Sequence, residues 1–364
     1  MDKTISLGID GLKGAGGPGV AASSVSSPAS TTGPRRKSAF SLRNVAVAVI
    51  VLTLAAVPIA AALASQPFYL TIVSRMMIFA LAALGLNLVL GFGGLVSFGH
   101  ALYIGIGAYA VGILSSYGVT SGWAHVAVAL AVGAVVAALI GAVCLRASGV
   151  AFIMITLAFA QMGYFLAVSL KQFGGDDGLP LQARSDFGLF SLADGTVLYY
   201  TIFLVLVGTL CGLHRFVNAR FGMLLRGCKS NERRMAAMGF PTTRYKLGAY
   251  VISALICVMA GVLLANLTRF TSPSYMQWSV SGELIVMVVL GGIGTLMGPI
   301  VGAITWLTLE ELLTSFELGL PYGIDLFIRD HWLGIIGLFV VGVTLVLRQG
   351  LYGMFLGRED KDPS

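Results

Sequence analysis

The sequence predicts an all-α protein that crosses a membrane many times. Three observations carry that reading. Residues are 57% hydrophobic and only 11% charged, with a mean hydropathy of +0.90, whereas soluble domains carry about 25% charged residues. Continuous apolar runs of spanning length recur along the chain; a membrane β-barrel would instead show alternating segments of about ten residues. Basic residues gather between the runs and in the tails, above all in residues 215–246.

Residues 1–44 are rich in Gly, Ser, Ala and Pro without apolar periodicity, which predicts a disordered tail. Arg35, Arg36, Lys37 and Arg43 precede the first apolar run and hold that end in the cytoplasm. Residues 45–64 are apolar over about 30 Å of helix, one bilayer core. Ala62-Leu63-Ala64 has the small-residue pattern of a cleavage site. The run is longer than a signal peptide's and the tail before it too long, so a retained anchor is expected. A second span covers 68–90, with Arg75 placed to snorkel to the interface.

Four glycines within 91–99 should interrupt the helix there. The chain then returns outward to about 115, inward over 123–145 and outward over 150–170. Residues 171–196 lean acidic and read as an outer loop. Spans over 197–214 and 247–267 flank the basic stretch, and 268–282 reads as a short outer segment. Gly291 to Pro299 should break the next run into an inward limb, 283–294, and an outward limb, 298–313. Residues 314–331 would be external, 332–348 the last span, and 349–364 a cytoplasmic tail. The domain therefore covers 45–348, with about ten crossings and both termini inside.

Residues 215–246 set the orientation. Eight Lys and Arg residues there face a single acid, Glu232, and a short loop so basic stays cytoplasmic. Its centre, Glu232 to Gly239, reads as a short helix ended by glycine.

Three stretches carry a family resemblance. LGLNLVLGFGGLVSFGHALYIGIGAYA (84–110), LRGCKSNERRMAAMGFPTTRYKLGAYVISA (225–254) and VVLGGIGTLMGPIVGA (288–303) resemble, in this order, signatures of branched-chain amino-acid ABC permeases of the LivM-like branch. The resemblance covers roughly 68–350. It implies a permease subunit in the bacterial inner membrane, with a fold like that of the vitamin B12-type importers. It also implies a LivH-like permease partner, two cytoplasmic ATPases and a soluble external binding protein. ATP would be hydrolysed by those partners, with no cofactor on this chain. Glu232, Ala236, Ala237 and Gly239 match the family's coupling positions, with Arg226 just before them. There a compact helix with small residues would fit a cleft in the ATPase; a plain linker helix is the competing reading.

The glycine breaks give candidates for a translocation pathway or hinges: Asn87, Gly91, Gly94, Ser97, His100, Gly291, Gly292, Gly294, Gly298 and Pro299. Broken helices turn backbone polar groups toward a cavity; close packing without substrate contact is the rival reading. Thr156, Gln161 and Glu283 are further polar residues in spans. Val89-Leu90-Gly91 recurs as Val289-Leu290-Gly291, but both limbs run inward, so they are not inverted copies.

The net charge of +7 reflects topology and attraction to anionic membrane lipid, not nucleic acid. The four cysteines form no CxxC, which predicts free thiols and neither disulfides nor a metal site. Gly292-Ile-Gly294 lacks the third glycine of a dinucleotide loop and the Lys-Ser/Thr of a P-loop. No catalytic triad or carboxylate pair is present, so no enzyme activity is expected. Urea or short-chain amides are the alternative cargo, and a secondary carrier or channel the alternative class.

Overall fold

The computed structural model describes residues 52–58, 67–188, 191–315, 331–346 and 350–355. The expected tail over 1–44 and most of the anchor over 45–64 fall outside these residues; 52–58 are helical. The expected external segment at 314–331 falls almost wholly outside them too.

Helix dominates because nearly every apolar run lacks the turn residues that would stop it. We label the helices in chain order: α1 (Pro67–Asn87), α2 (His100–Ser116), α3 (Gly122–Cys144), α4 (Val150–Ser169), α5 (Gly195–Asn218), α6 (Arg220–Ser230), α7 (Glu232–Ala237), α8 (Thr242–Thr268), α9 (Trp278–Gly291), α10 (Gly298–Thr314), α11 (Trp332–Val346) and α12 (Gly350–Phe355). Five helical segments are long and apolar enough to cross a membrane: α1 with its continuation to Phe92, α3, α4, α5 and α8. The helices at 100–116, 278–291 and 332–343 are apolar but shorter.

Two spans form the centre. α1 and α8 are largely buried, whereas α3, α4 and α5 leave most of their apolar surface outward. Val128, Val132, Val135, Leu139 and Val143 make such an outward stripe on α3, as a lipid-facing helix requires. Between helices in lipid the hydrophobic effect gives no net drive, so close backbone approach must supply the attraction. At the α2–α8 crossing an added Cβ on Gly261 would overlap the Ile104 carbonyl, and one on Gly107 the Val258 carbonyl. Any larger residue at this crossing would push the central helices apart.

The acidic loop folds into a cap. Leu179–Pro180 (β1) pairs antiparallel with Phe270–Thr271 (β2), which ties the loop to the end of α8. Ser185 N–H donates to Asn266 Oδ1 at 2.8 Å, and His125 Nδ1 lies 2.7 Å from Ser185 Oγ. Asp194 then caps α5 by accepting from Thr196 N–H at 2.9 Å. The cap and the basic stretch therefore sit at opposite ends of α5 and α8.

Four expectations need correction. Arg75 does not stand alone at an interface: it pairs with Glu310 of α10 at 3.3 Å, because the two helices pack side by side. Residues 268–282 are not a simple outer segment. Their turn at Pro273–Met276 inserts against α2 and α4, with Met276 filling the space over Gly105, and α9 begins at Trp278 rather than Glu283. The basic stretch is helical almost throughout, since α5 and α8 run into it from both sides and α6 lies between them. The tail begins with α12, which packs on α9 and α10 rather than leaving the body at once.

Candidate functional site

The two glycine breaks and the basic stretch meet at one end of the molecule. α1 ends in one turn of π-helix, Leu88–Phe92, where Gly93 N–H reaches back to Leu88 O at 3.1 Å. Wider turns of this kind are rare and mark places where a helix is perturbed. Irregular chain over 93–99 then leads to α2.

Side chains fasten this first break. Ser97 Oγ accepts from Gly99 N–H at 3.2 Å, and Thr156 Oγ1 of α4 accepts from Phe98 N–H at 3.2 Å. Ser281 Oγ of α9 accepts from Ala101 N–H at 2.9 Å, serving a donor that the start of α2 leaves unpaired. His100 is fully buried beneath Tyr103 and Tyr250, with both rings edge-on to it. Its Nε2 lies 2.8 Å from Ser253 Oγ, whose own hydrogen goes to Gly85 O. Nε2 is therefore the donor, and Nδ1 has no hydrogen-bond partner among the described residues.

Backbone and the Thr295 side chain fasten the second break. α9 stops at Gly291, and Gly292 and Gly294 take φ of +122° and +78°, values open to glycine. Thr295 Oγ1 donates to Gly292 O at 2.8 Å and accepts from Gly298 N–H at 3.1 Å, and Pro299 opens α10 in its first turn. The two limbs touch closely: a Cβ on Gly291 would overlap Gly298 O, and one on Gly302 would overlap Met287 O. Gly350 of α12 rests on the same turn, where its Cβ would stand 2.6 Å from the Gly292 backbone.

Asn87 joins the two breaks. Its Nδ2 donates to Thr295 O at 2.8 Å, and its Oδ1 accepts from Gly294 N–H at 3.0 Å. A Cβ on Gly91 would overlap that Oδ1 and sit 2.6 Å from Gly294 N. The Val89–Gly91 and Val289–Gly291 repeats thus lie at the C-terminal ends of two helical segments that meet at one junction.

The junction also reaches the basic stretch. Lys229 of α6 donates from Nζ to Gly91 O at 2.7 Å, and its stem lies over Gly94. Arg226 donates to Val217 O at 3.0 Å, holding α6 to the end of α5. α7 follows directly. Asn231 caps it by accepting from Arg234 N–H at 2.9 Å, and Glu232 pairs with Lys246 of α8 at 2.6 Å. Gly239 N–H donates to Ala236 O and Phe240 N–H to Met235 O, a left-handed glycine stop with Gly239 at φ +86°. Met235 points inward under Gly227, leaving Ala236, Ala237, Met238, Gly239 and Phe240 exposed. Cys228 is buried in the same packing, and burial pushes its thiol up from its ordinary value.

The structure thus brings Asn87, Gly91, Gly94, Gly291, Gly292, Gly294 and Gly298 together. Ser97, inside the first break, and His100, at the start of α2 against α8, are fully buried. Gln161 Nε2 is buried without a hydrogen-bond partner among the described residues, and Glu283 is half-buried on α9. Sequence reasoning missed Lys229 and Thr295 as junction residues and Ser253 as the partner of His100. Lys229 carried one signal, as the only Lys of the basic stretch directly before the short helix.

An apolar helical body with five helical segments long and apolar enough to span a bilayer, twice broken by glycine at one end, has the make-up of a polytopic membrane protein. The profile of the family described as "Branched-chain amino acid transport system / permease component" matches residues 68–320, well over half of the chain, and the chain belongs to that family. It is similar to the high-affinity branched-chain amino acid transport system permease protein LivM of Salmonella typhimurium, 27% identical over 270 residues, or 68% of this chain and 64% of that one. It is also similar to LivM of Escherichia coli, 27% identical over 66% of this chain and 62% of the relative, and to LivH of the same organism, 28% identical over 67% and 84%. The matched region spans slightly less than two thirds of the LivM relatives' length. No solved structure matches the chain.

Proposed function

We propose that this chain is a membrane permease subunit of an ATP-driven importer that translocates branched-chain amino acids handed over by an external binding protein. The observation that carries this reading is the exposed α7 face beside Lys229. A short, rigid helix that a soluble ATPase can grip adjoins a side chain bonded to the first glycine break. Two ATPases would bind and hydrolyse ATP, and their motion would reach the breaks through α6 and α7, alternating outward- and inward-open states. A LivH-like permease would complete the membrane portion, and lipid would cover the α3–α5 faces. About ten crossings, with the broken α9–α10 pair counted twice, put the basic stretch and both termini in the cytoplasm of a bacterial inner membrane. The fold would then be of the vitamin B12-importer type. Gly350 resting on Gly292, at the end where Lys229 lies, supports that placement of the C-terminal side.

Reconstituted vesicles holding both permeases and both ATPases, supplied with binding protein, test the reading. Leucine, isoleucine and valine should compete for ATP-dependent uptake and urea should not. Uptake that persists without the ATPases would instead indicate a carrier or channel. Ala237→Leu enlarges the exposed α7 face without touching the core. It should abolish uptake while leaving membrane insertion intact; normal transport with assembled ATPases would refute the docking role.

A further inference from the structure

The cap end holds a cleft that the proposed transport cycle leaves unexplained. About 390 Å³ in volume, it lies where the folded loop meets the end of α8, within the range of small-molecule pockets, about 300–1,000 Å³. Arg184, Arg269 and Asp186 line it together with Leu181, Ala183 and Ala193. None of the three charged residues is in an ion pair among the described residues. Cationic and anionic groups therefore stand in one cleft without neutralising one another directly.

Backbone holds the Arg184 guanidinium and the main chain of Arg269, whose exposed side chain makes no hydrogen bond or ion pair among the described residues. Arg184 Nη1 donates to Leu192 O at 3.3 Å and to Ala193 O at 3.0 Å, which fixes the guanidinium plane, while its Nε is buried without a hydrogen-bond partner. Burial, and next the neighbouring Arg269 charge, lower the Arg184 pKa, as expected where a like charge is close and no carboxylate compensates. Arg269 ends α8 in the left-handed region at φ 54°, the only described residue other than glycine with positive φ. Glycine is usual at such a helix stop. Its carbonyl accepts from Leu181 N–H at 2.9 Å, so the β1–β2 ladder holds the turn. Asp186 Oδ1 accepts from Gly188 N–H at 3.0 Å, which holds its carboxylate on the loop.

We infer that this cleft is an entry subsite for the zwitterionic head of an α-amino acid. The Arg184 and Arg269 guanidinia receive the carboxylate, Asp186 receives the ammonium, and Leu181, Ala183 and Ala193 face the side chain. The inference rests on the import reading and deepens it. A neutral urea or amide can hydrogen-bond these groups but carries no full charges to neutralise them, so the charge pattern favours amino acids.

The test uses the full chain in nanodiscs and ligand-observed saturation-transfer NMR with three probes: leucine, leucinamide without the carboxylate, and 4-methylpentanoate without the ammonium. Leucine should bind, and each analogue should bind at least about tenfold more weakly, the loss expected for one charge-assisted contact. Arg269→Gly relieves the left-handed backbone while removing the guanidinium, so it should keep or raise thermal stability and still weaken leucine about tenfold or more. Asp186→Asn should remove the preference for leucine over 4-methylpentanoate. Leucinamide binding as well as leucine, or unchanged affinity in Arg269→Gly, overturns the subsite. So does a variant that weakens only docking of the binding protein and leaves free leucine bound as before. Vesicles that import leucine while nanodiscs show no such selectivity reject the subsite alone; vesicles that import urea instead reject the amino-acid cargo on which it rests.

Discussion

The two glycine breaks solve one problem in different ways. The first, over 93–99, is fastened by side chains from four directions: Ser97 within it, Thr156 on α4, Ser281 on α9 and Lys229 on α6. The second, over 292–297, is held by the Thr295 and Asn87 side chains too, but adds backbone pressed on backbone, with Gly291 against Gly298, Gly302 against Met287 and Gly350 against Gly292. Side-chain hydrogen bonds can exchange partners at small net cost, because each is worth about 1 kcal/mol. Backbone contact has nothing to exchange. The second break, with its extra backbone contacts, is thus the stiffer of the two and the first the more easily rearranged, with Asn87 holding one to the other.

The sharpest test of this contrast is Gly302→Val. Its side chain would meet the Met287 carbonyl, which cannot move unless α9 moves. A loss of roughly 3 kcal/mol is expected from overpacking a rigid contact. Thermal unfolding in detergent, followed through dye labelling of the buried free Cys257, would measure it. A melting point within a degree or two of the parent would mean that the second break yields after all.

Asn87→Ala should come next, at about 2 kcal/mol, because Gly294 N–H and Thr295 O both lose their partner. Asn87→Asp separates the two bonds: it can still accept from Gly294 N–H and cannot, when ionised, donate to Thr295 O. Because the site is buried, the ionised carboxylate would also set an oxygen against Thr295 O, so the Asp variant should be less stable than Ala at neutral pH and recover as the pH falls and the protonated carboxyl regains a donor. An Asp variant as stable as the parent at high pH would show that the Thr295 bond contributes nothing.

Much of this was legible in the chain. Glycine density located both breaks within a few residues, and the short helix with its glycine stop followed from the run Glu232 to Gly239, though its Asn231 cap did not. The partners of those features were not legible. Asn87 and Thr295 lie 208 residues apart and Lys229 and Gly91 lie 138 apart, so no local pattern links them. The Arg75–Glu310 pair spans 235 residues and turned a snorkelling cation into a packing contact. α6 did leave a trace, since its buried Gly222, Leu225 and Cys228 recur every three residues. A high count of Lys and Arg hid that apolar stripe behind a topology signal. The β1–β2 ladder is two residues long on each side, too short for any alternation to declare it.

Ser253→Ala isolates a fastening of the first break from inside the bundle. It removes the hydroxyl between His100 Nε2 and Gly85 O, leaving the imidazole with neither nitrogen paired. The expected loss is about 1–2 kcal/mol, below that of Gly302→Val because no backbone has to shift. Ser253→Thr keeps the hydroxyl and should recover most of it; a Thr variant as unstable as Ala would assign the effect to packing instead.

Lys229→Met should cost least in stability and yet say most about the comparison. Its ammonium is only partly buried, so water can take over at Gly91 O, and a change of about 1 kcal/mol or less is expected. The stem of Met still covers Gly94, which keeps the apolar contact. What disappears is the one bond by which α6 pulls on the first break. In the reconstituted complex, ATP hydrolysis should then continue while leucine uptake falls about tenfold or more. Lys229→Arg should restore uptake in part, since its guanidinium can also donate to the carbonyl but with a bulkier head. A purely structural lysine would lower hydrolysis and uptake together, in step with its effect on the melting point. A first break that needed no pull from α6 would leave both unchanged. Hydrolysis without uptake is the only outcome that requires the first break to be the moving one.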